Sequence, residues 1–392
     1  MYNRFGQEVL SMHLLIDRFI EKLINESTPE LPIWNIESIK AGKAPHWNYI
    51  DGCMMTSLIE LYKETNDSKY INFVLNFIDY YVFDDGTIRG YDVNHFNVDD
   101  ICESRILFDL YNITENKKYL KAIEYTYTHI KTQPRTKDGN FWHKKIYPNQ
   151  VWLDGLFMAQ PFYTRYETTL NQHQNYDDII NQFKNVRKFM FDENKKLYYH
   201  GYDSTKSIFW ADSKTGLSKN FWLRAIGWFV VAIVDVASYM DDDLTKKEFF
   251  SPLLKEIIDG LLSYQDQKSK LFYQVVNLQE KQGNYLEASG SALVSYAILK
   301  GTRLGLLNHT YEKVGLDIFN GITKTYLSEK NGDLNLGGIC LVAGLGPEHN
   351  TRRDGTFEYY ISEPVVENDA KGVGPLIMAY TEVMKVEKNK KD

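Results

Sequence analysis

The sequence predicts an all-α chain folded as an (α/α)6 barrel, a toroid of six helical hairpins, and three observations carry that expectation. Two segments align without gaps at an offset of 49 residues, Leu58-Ile-Glu-Leu-Tyr-Lys-Glu-Thr-Asn-Asp-Ser-Lys-Tyr70 and Leu107-Phe-Asp-Leu-Tyr-Asn-Ile-Thr-Glu-Asn-Lys-Lys-Tyr119. Each runs an apolar helix end through a polar turn into a Lys-Tyr helix start, as stacked helix pairs do. The helices are also of two kinds. Leu120, Ile123, Tyr127 and Ile130 step by three and four, as do Ile179, Phe183, Val186 and Met190, which gives one apolar stripe. Leu156-Phe-Met-Ala and Ala225-Ile-Gly-Trp-Phe-Val-Val-Ala-Ile-Val are apolar nearly all round and belong in an inner layer. Finally, about twelve helices can be counted, enough for six inner–outer pairs.

In chain order these helices span about 8–26, 51–65, 68–82, 99–112, 117–132, 154–168, 176–191, 222–240, 247–265, 287–305, 309–327 and 371–387. Asp51, Asp99-Asp100 and Asp154 stand at the starts of three inner helices, and Lys-Tyr pairs open the outer helices at 68 and 117. An open helical-repeat solenoid is the competing architecture; it would show more uniform repeats and shorter connections. Here the connections 83–98, 133–153, 192–221, 266–286 and 328–370 are long and hold Trp142, His143, His200, Trp210 and Tyr359. Loops of that length in a compact domain usually serve function, so they are expected to wall a pocket at one end. No linker or low-complexity run divides the chain, so residues 1–392 are expected to form one catalytic domain.

The net charge of −7 speaks against a nucleic-acid partner. Cys53, Cys102 and Cys340 are too few and scattered for a disulfide framework or zinc site. The nine histidines show no metal spacing, so neither metal nor other cofactor is implied. The start of the chain lacks the pattern of a signal peptide, and the apolar run Ala225–Met240 is shorter than the ~20 residues of a membrane span and contains Asp235. A cytoplasmic enzyme without a membrane partner, a monomer or weak homo-oligomer, is the expectation. The lysine-rich end, Lys385 to Asp392, reads as a solvated tail.

Aromatic residues reach 14% of the chain, and several tryptophans stand beside charged residues. Such aromatic faces suit pyranose C–H groups, with polar neighbours for the hydroxyls. The densest cluster of reactive groups is Phe141-Trp-His-Lys-Lys-Ile-Tyr-Pro-Asn-Gln-Val-Trp-Leu-Asp-Gly155. For Asp51, Asp99 and Asp154 the ordinary reading is an N-cap stabilised by the helix dipole. The functional one has them converging on a cavity. A proton donor there needs its pKa raised by burial or a second carboxylate, which Trp152 and another rim aspartate would supply. His200, between tyrosines, is either a satisfied structural group or part of the site. Arg224 opens a very apolar helix and must be paired; its two parallel donors suit a planar carboxylate, which favours a uronic acid over a neutral sugar.

These residues resemble the unsaturated rhamnogalacturonyl hydrolases, glycoside hydrolase family 105, over nearly the whole chain. The segments that carry the resemblance are Trp47-Asn-Tyr-Ile-Asp-Gly, Asn97-Val-Asp-Asp, Gln133-Pro-Arg-Thr, Phe141-Trp-His-Lys-Lys-Ile-Tyr-Pro, Gln150-Val-Trp-Leu-Asp-Gly, Trp222-Leu-Arg-Ala-Ile-Gly-Trp and Tyr360-Ile-Ser-Glu-Pro-Val-Val-Glu-Asn-Asp-Ala-Lys-Gly-Val-Gly374. The related unsaturated glucuronyl hydrolases share the fold and paired aspartates. The resemblance implies an (α/α)6 barrel and an oligosaccharide substrate ending in a 4,5-unsaturated uronic acid left by a polysaccharide lyase. In the chemistry it implies, an acid protonates C4 of the enol ether, water adds at C5, and the hemiketal opens and expels the neighbouring sugar. Asp154 matches the family's proton donor and Asp99 the second aspartate. His143, Lys144, Trp152, His200, Trp222 and Arg224 match cleft positions, with Tyr49 a further one. Where the family often has Asp-Asn, this chain has Asp99-Asp100. The substrate expected first is unsaturated galacturonyl-rhamnose from rhamnogalacturonan I; the alternative is ulvan-derived unsaturated glucuronyl-rhamnose 3-sulfate. A non-catalytic repeat protein, or an epimerase or ordinary glycosidase on the same barrel, are the competing classes.

Overall fold

A computed structural model describes the backbone of residues 2–390 and the side chains of residues 11–390. Six helical segments form an inner ring: Tyr49–Thr65, the interrupted run from Asp99 to Thr114, Leu153–Thr169, Leu223–Tyr239, Ala288–Arg303 and Ala370–Asn389. Each packs on the next, and the last packs on the first, so the ring closes. Their residues are buried on nearly every side, as the all-round apolar pattern requires. The outer layer is Tyr2–Asn25, Ser68–Tyr81, Lys117–Thr132, Tyr176–Met190, Ser251–Leu262 and Thr310–Tyr326. The chain therefore forms an (α/α)6 barrel, and the first helix pairs with the last: Tyr380 donates to Asp17 at 3.1 Å, and His13 lies 3.4 Å from Glu387.

Several elements depart from the predicted spans: the helix expected over 8–26 starts at Tyr2, and the one expected over 247–265 reduces to Ser251–Leu262. The helix expected over 99–112 is split by a 3-10 turn, Glu103–Ile106, between Asp99–Cys102 and Leu107–Thr114. Tertiary partners account for the break. Glu103 accepts from the Asn48 amide at 3.0 Å, Ser104 meets Thr126 at 2.8 Å, and Arg105 pairs with Asp235. At the other end the last helix continues to Asn389, and Lys385, Lys388 and Lys390 pair with Glu382, Glu64 and Glu312. The expected solvated end is thus helical, with Lys388, Asn389 and Lys390 exposed as expected; Lys391 and Asp392 lie outside the described residues. The three cysteines are free and buried. Among the described residues, no helix is long and apolar enough to cross a membrane.

Asp235, the one charge in the apolar run, sits at a buried crossing of the ring. It takes a salt bridge from Arg105 and accepts from Tyr296 and Lys300, both at 2.8 Å. Arg105 lies on an inner segment that is not a ring neighbour of the Leu223 helix, so the cluster ties the ring across its interior. Burial pushes the Asp235 carboxyl up, but Lys300 and Arg105 pull it further down, so it stays ionised. Removing one partner of such a cluster strands the others without a counter-charge. Asp235→Ala is expected to lower the stability by about 3–5 kcal/mol, read as a drop in the urea midpoint. A loss below about 1 kcal/mol, the scale of an exposed pair, would show that the cluster does not hold the ring.

Candidate active site

The site is assembled by short extended segments that pair edge to edge above the inner helices. Residues around 97 bridge those around 144: Lys145 donates to the Phe96 carbonyl at 2.9 Å, and Val98 to His143 at 3.2 Å. His143 in turn donates to the Gln150 carbonyl at 2.9 Å. The strand Gln150–Trp152 then pairs antiparallel with Gly201–Asp203, and the Leu153 amide donates to the His200 carbonyl at 3.1 Å. This ribbon sets Asp99, His143, Lys144, Asp154 and His200 side by side, although they are up to about a hundred residues apart in sequence.

A cavity of about 190 Å³ opens where the starts of three inner helices meet; Tyr49, Asp99, Asp100, His143, Lys144, Trp152 and Asp154 are among its lining residues. That is below the ~300–1,000 Å³ of sites for drug-sized ligands, so the cavity suits one terminal sugar ring. Trp152 makes an aromatic wall, stacked against His143 at 4.4 Å and Tyr147 at 4.6 Å, which lie beside each other, with its indole N–H held by Gln150 at 3.1 Å. Trp210 packs behind it in the same small apolar cluster. Gly201, opposite Trp152, leaves room for the ring; a side chain there would run into Leu345 and Trp152.

The acids of the cavity differ in their surroundings. Asp99 lies 2.5 Å from Lys144 and 3.3 Å from His143. Asp154 has His200 Nε2 at 3.2 Å, and His200 is held from the other side by Tyr360 at 2.7 Å. Neither Asp99 nor Asp154 is an N-cap: Val98 and Trp152 occupy those positions, and no side chain bonds to the helix start there. Asp99 is the first and Asp154 the second residue of its helix, where both still face the helix dipole. Burial pushes the Asp154 carboxyl up, but His200 and, more weakly, His143 bring it below the ordinary carboxylate range. The raised pKa expected for a proton donor is thus not found at Asp154, because the partner beside it is a histidine and not a second carboxylate. The raised group is Asp100, lifted to about 7 by burial and by Asp99 against the opposing pull of Lys144 and Asn97. Burial holds His143 down at about 4, hence neutral near pH 7. Among the described residues, no group of three His, Cys, Asp or Glu side chains is arranged to hold a metal ion.

Tyr49, Asp99, His143, Lys144, Trp152 and Asp154 therefore come together on one cavity, and three other expected residues stand back from it. His200, fully buried, touches Asp154 from behind. Trp222 packs 4.8 Å from His200 and donates its indole N–H to Gln274, without lining the cavity. Arg224, expected to face a carboxylate, is turned to the protein: it donates to the carbonyl of Cys340 and, at 3.3 Å, to Ser289. Its burial at 1% exposure demanded partners, and backbone carbonyls supply them. Asp51 does not reach the cavity; it accepts from the Trp34 indole at 2.8 Å, and burial lifts its carboxyl to about 7. Among the lining residues that sequence reasoning did not assign to the site are Glu37, His46, Asn48, Tyr147 and Arg353. The signal for Arg353 was its place in the long connection 328–370; Glu37 and His46, before the first inner helix, gave none.

Comparisons with known proteins give the family of the chain. The profile described as Glycosyl Hydrolase Family 88 matches residues 16–387. A solved glycoside hydrolase of family 105 from C. acetobutylicum ATCC 824 is 39% identical and superposes with a TM-score of 0.84, covering 90% of this chain and 98% of that one. A 24.9 kDa protein in the picA locus of Rhizobium radiobacter is 38% identical over 230 residues, 57% of this chain and 97% of that protein. The unsaturated rhamnogalacturonyl hydrolase YesR of Bacillus subtilis is 27% identical over 277 residues, 66% of this chain and 72% of that one. The chain belongs to the family 88/105 group of glycoside hydrolases, the unsaturated glucuronyl and rhamnogalacturonyl hydrolases.

Proposed function

We propose that this enzyme removes the 4,5-unsaturated galacturonate from the non-reducing end of rhamnogalacturonan I fragments left by a lyase, with Asp154 as the proton donor. The observation that carries the reading is Asp154 itself, 7% exposed, at a helix start on a cavity the size of one sugar ring, with His200 at 3.2 Å as the one ion-pair partner of its carboxylate among the described residues. The pectic choice is supported by the name of the B. subtilis relative. Protonation of C4 by Asp154 leaves the positive charge on C5, shared with the ring oxygen. Water adds to C5 and returns its proton to Asp154, and the hemiketal opens to release the neighbouring sugar. Asp99, charge-paired with Lys144, holds the ring and keeps His143 oriented. Trp152 and Tyr49 offer faces to the sugar, while His200, braced by Tyr360 and Trp222, fixes Asp154. Arg224 supports that wall from behind.

A carboxylate held low must be raised before it can donate. The uronate brings a second negative charge and displaces water, and both effects raise a neighbouring carboxyl. Turnover removes the conjugated double bond, so ultraviolet absorbance on lyase digests of rhamnogalacturonan, ulvan, heparin and chondroitin is the direct test. The pectic digest is expected to decay fastest; fastest decay of the ulvan digest would assign the unsaturated glucuronyl-rhamnose sulfate instead. Asp154→Asn is expected to lose about 10²–10⁴-fold in kcat, the range for a general acid, and full activity in that variant would rule out the role given to Asp154.

Asp100 sets the expected pH dependence. A carboxyl lifted to about 7 is neutral below that pH and charged above it. Above pH 7 the cavity therefore gains a negative charge and repels an anionic substrate, so KM is expected to rise with pH through that window. Asp100→Asn keeps the side-chain acceptor for Asn97, bonded at 3.0 Å, and removes the titration. Its KM profile is expected to be flat between pH 6 and about 8; a profile identical to the unmodified enzyme's would exclude Asp100 as the source.

A further inference from the structure

We infer that Arg353, and not Arg224 or Lys144, is the residue that receives the carboxylate of the terminal unsaturated uronate, a deepening that rests on the hydrolase reading above. Arg353 is half-buried and lines the cavity. Every other arginine whose side chain is described has an anionic or carbonyl partner, from Arg18 with Glu329 to Arg352 with Glu363. Among the described residues, the guanidinium of Arg353 has none. Burying a cation even partly without a partner costs free energy, so an arginine kept this way in a cavity is set for an anion from outside.

The neighbours of Arg353 are already committed, which keeps it free. Lys144 is engaged by Asp99 at 2.5 Å. Glu37, the acid of the cavity whose charge Arg353 feels, is held by the fully buried Lys371 at 3.1 Å. Arg224 spends its donors on the protein. The backbone of Arg353 is fixed by the loop it closes, accepting from Gly346 at 2.8 Å and donating to Asn350 at 3.3 Å. Its Nη1 lies against Gly344, where a side chain would stand 3.1 Å from it and 3.4 Å from the Trp152 ring. Gly344 thus seats the guanidinium beside the aromatic wall. A guanidinium presents two parallel N–H donors that match a planar carboxylate, which an ammonium does not. A ring stacked on Trp152 with its C4 toward Asp154 would bring the adjacent C5 carboxylate within the reach of such a fork.

A sulfate ester on the neighbouring sugar is the other anion such a fork could hold, and the test separates the two. Arg353→Gln and Arg353→Lys are assayed on the unsaturated disaccharide as free acid and as methyl ester, each with and without sulfate on the second sugar. For the free acid, Arg353→Gln is expected to raise KM about 10- to 100-fold, the range for a hydrogen-bonded charge pair, with kcat little changed and Arg353→Lys between. The methyl ester is expected to show no such difference among the three proteins. Unchanged KM for the acid, an equal penalty on acid and ester, or a penalty confined to sulfated substrates would each overturn the assignment. Thermal unfolding of Arg353→Gln is expected to match the unmodified enzyme, since the side chain has no partner to lose. Calorimetric titration with saturated galacturonate gives a readout independent of turnover. If no digest is consumed but galacturonate binds the unmodified enzyme about 10- to 100-fold more tightly than Arg353→Gln, the hydrolase reading fails and the carboxylate anchor stands. If digests are consumed and both proteins bind galacturonate equally, the anchor fails alone.

Discussion

The cavity lies where the starts of inner helices meet, and at several junctions of the ring a glycine near the helix start lets the neighbours touch. A Cβ on Gly52 would lie 2.9 Å from Glu103 Cα, one on Gly227 2.9 Å from Leu293, and one on Gly374 2.9 Å from the Cys53 carbonyl. Gly290 would meet Leu223 in the same way. These contacts fall on three of the ring's six junctions, and each excludes even one added methyl group. Overpacking of that kind costs about 1–3 kcal/mol per site and shifts backbone. Close approach at the starts has a second consequence: it brings several helix N-termini, with their unpaired amides and partial positive charge, around one small volume.

That concentration of positive dipole ends is what lets the site hold so many carboxylates. Glu37, Asp99, Asp100 and Asp154 all line a cavity of about 190 Å³. Each is handled differently. Asp99 and Glu37 are matched by lysines, Asp154 by a histidine, and Asp100 by no full cation of its own, so it keeps its proton to about neutral pH. The arrangement leaves the cavity able to take one more anion near pH 7 and less able above it. A second group of acids, Asp51 and Glu103, is buried beneath the same helix starts and likewise pushed up by desolvation. They bond to Trp34 and the Asn48 amide and act as parts of the scaffold.

Periodicity made the barrel legible, because burial on one side or on all sides is written directly into the spacing of apolar residues. It placed most of the twelve helices within a residue or two. It could not show the 3-10 break at Glu103–Ile106, since the groups that pull that turn out of helical register, Asn48, Thr126 and Asp235, come from other parts of the chain. The site followed the same division. Asp99, His143, Lys144, Trp152 and Asp154 stand in tight local runs whose own pairing builds the ribbon, so their convergence could be read from the motifs. Arg224 and Arg353 could not be told apart that way. Arg224 stands two residues after Trp222 and Arg353 next to Arg352, and which one faces the cavity depends on where the 340–353 segment folds. Its carbonyls at Cys340 and Leu341 take up Arg224, and its far end delivers Arg353 to Trp152.

The same segment couples the two arginines, and that coupling explains why the wall needs both. Arg224 cannot be buried at 1% exposure without acceptors, and the nearest ones are the backbone carbonyls that begin the loop. Fixing those carbonyls fixes the strand Ile339–Cys340 against Val365–Val366 and the stretch after it that lines the cavity with Val342 and Ala343. Gly344 then donates its amide N–H to the Tyr359 hydroxyl at 2.9 Å and lies against the guanidinium of Arg353. Tyr359 is followed by Tyr360, which braces His200 against Asp154. One buried cation, satisfied internally, thus sets the path of a loop that carries a second, unsatisfied cation on one side and steadies the candidate acid on the other. An arginine in the core and an arginine in the cavity are not alternatives for one role: the first supplies rigidity that the second and the acid both draw on.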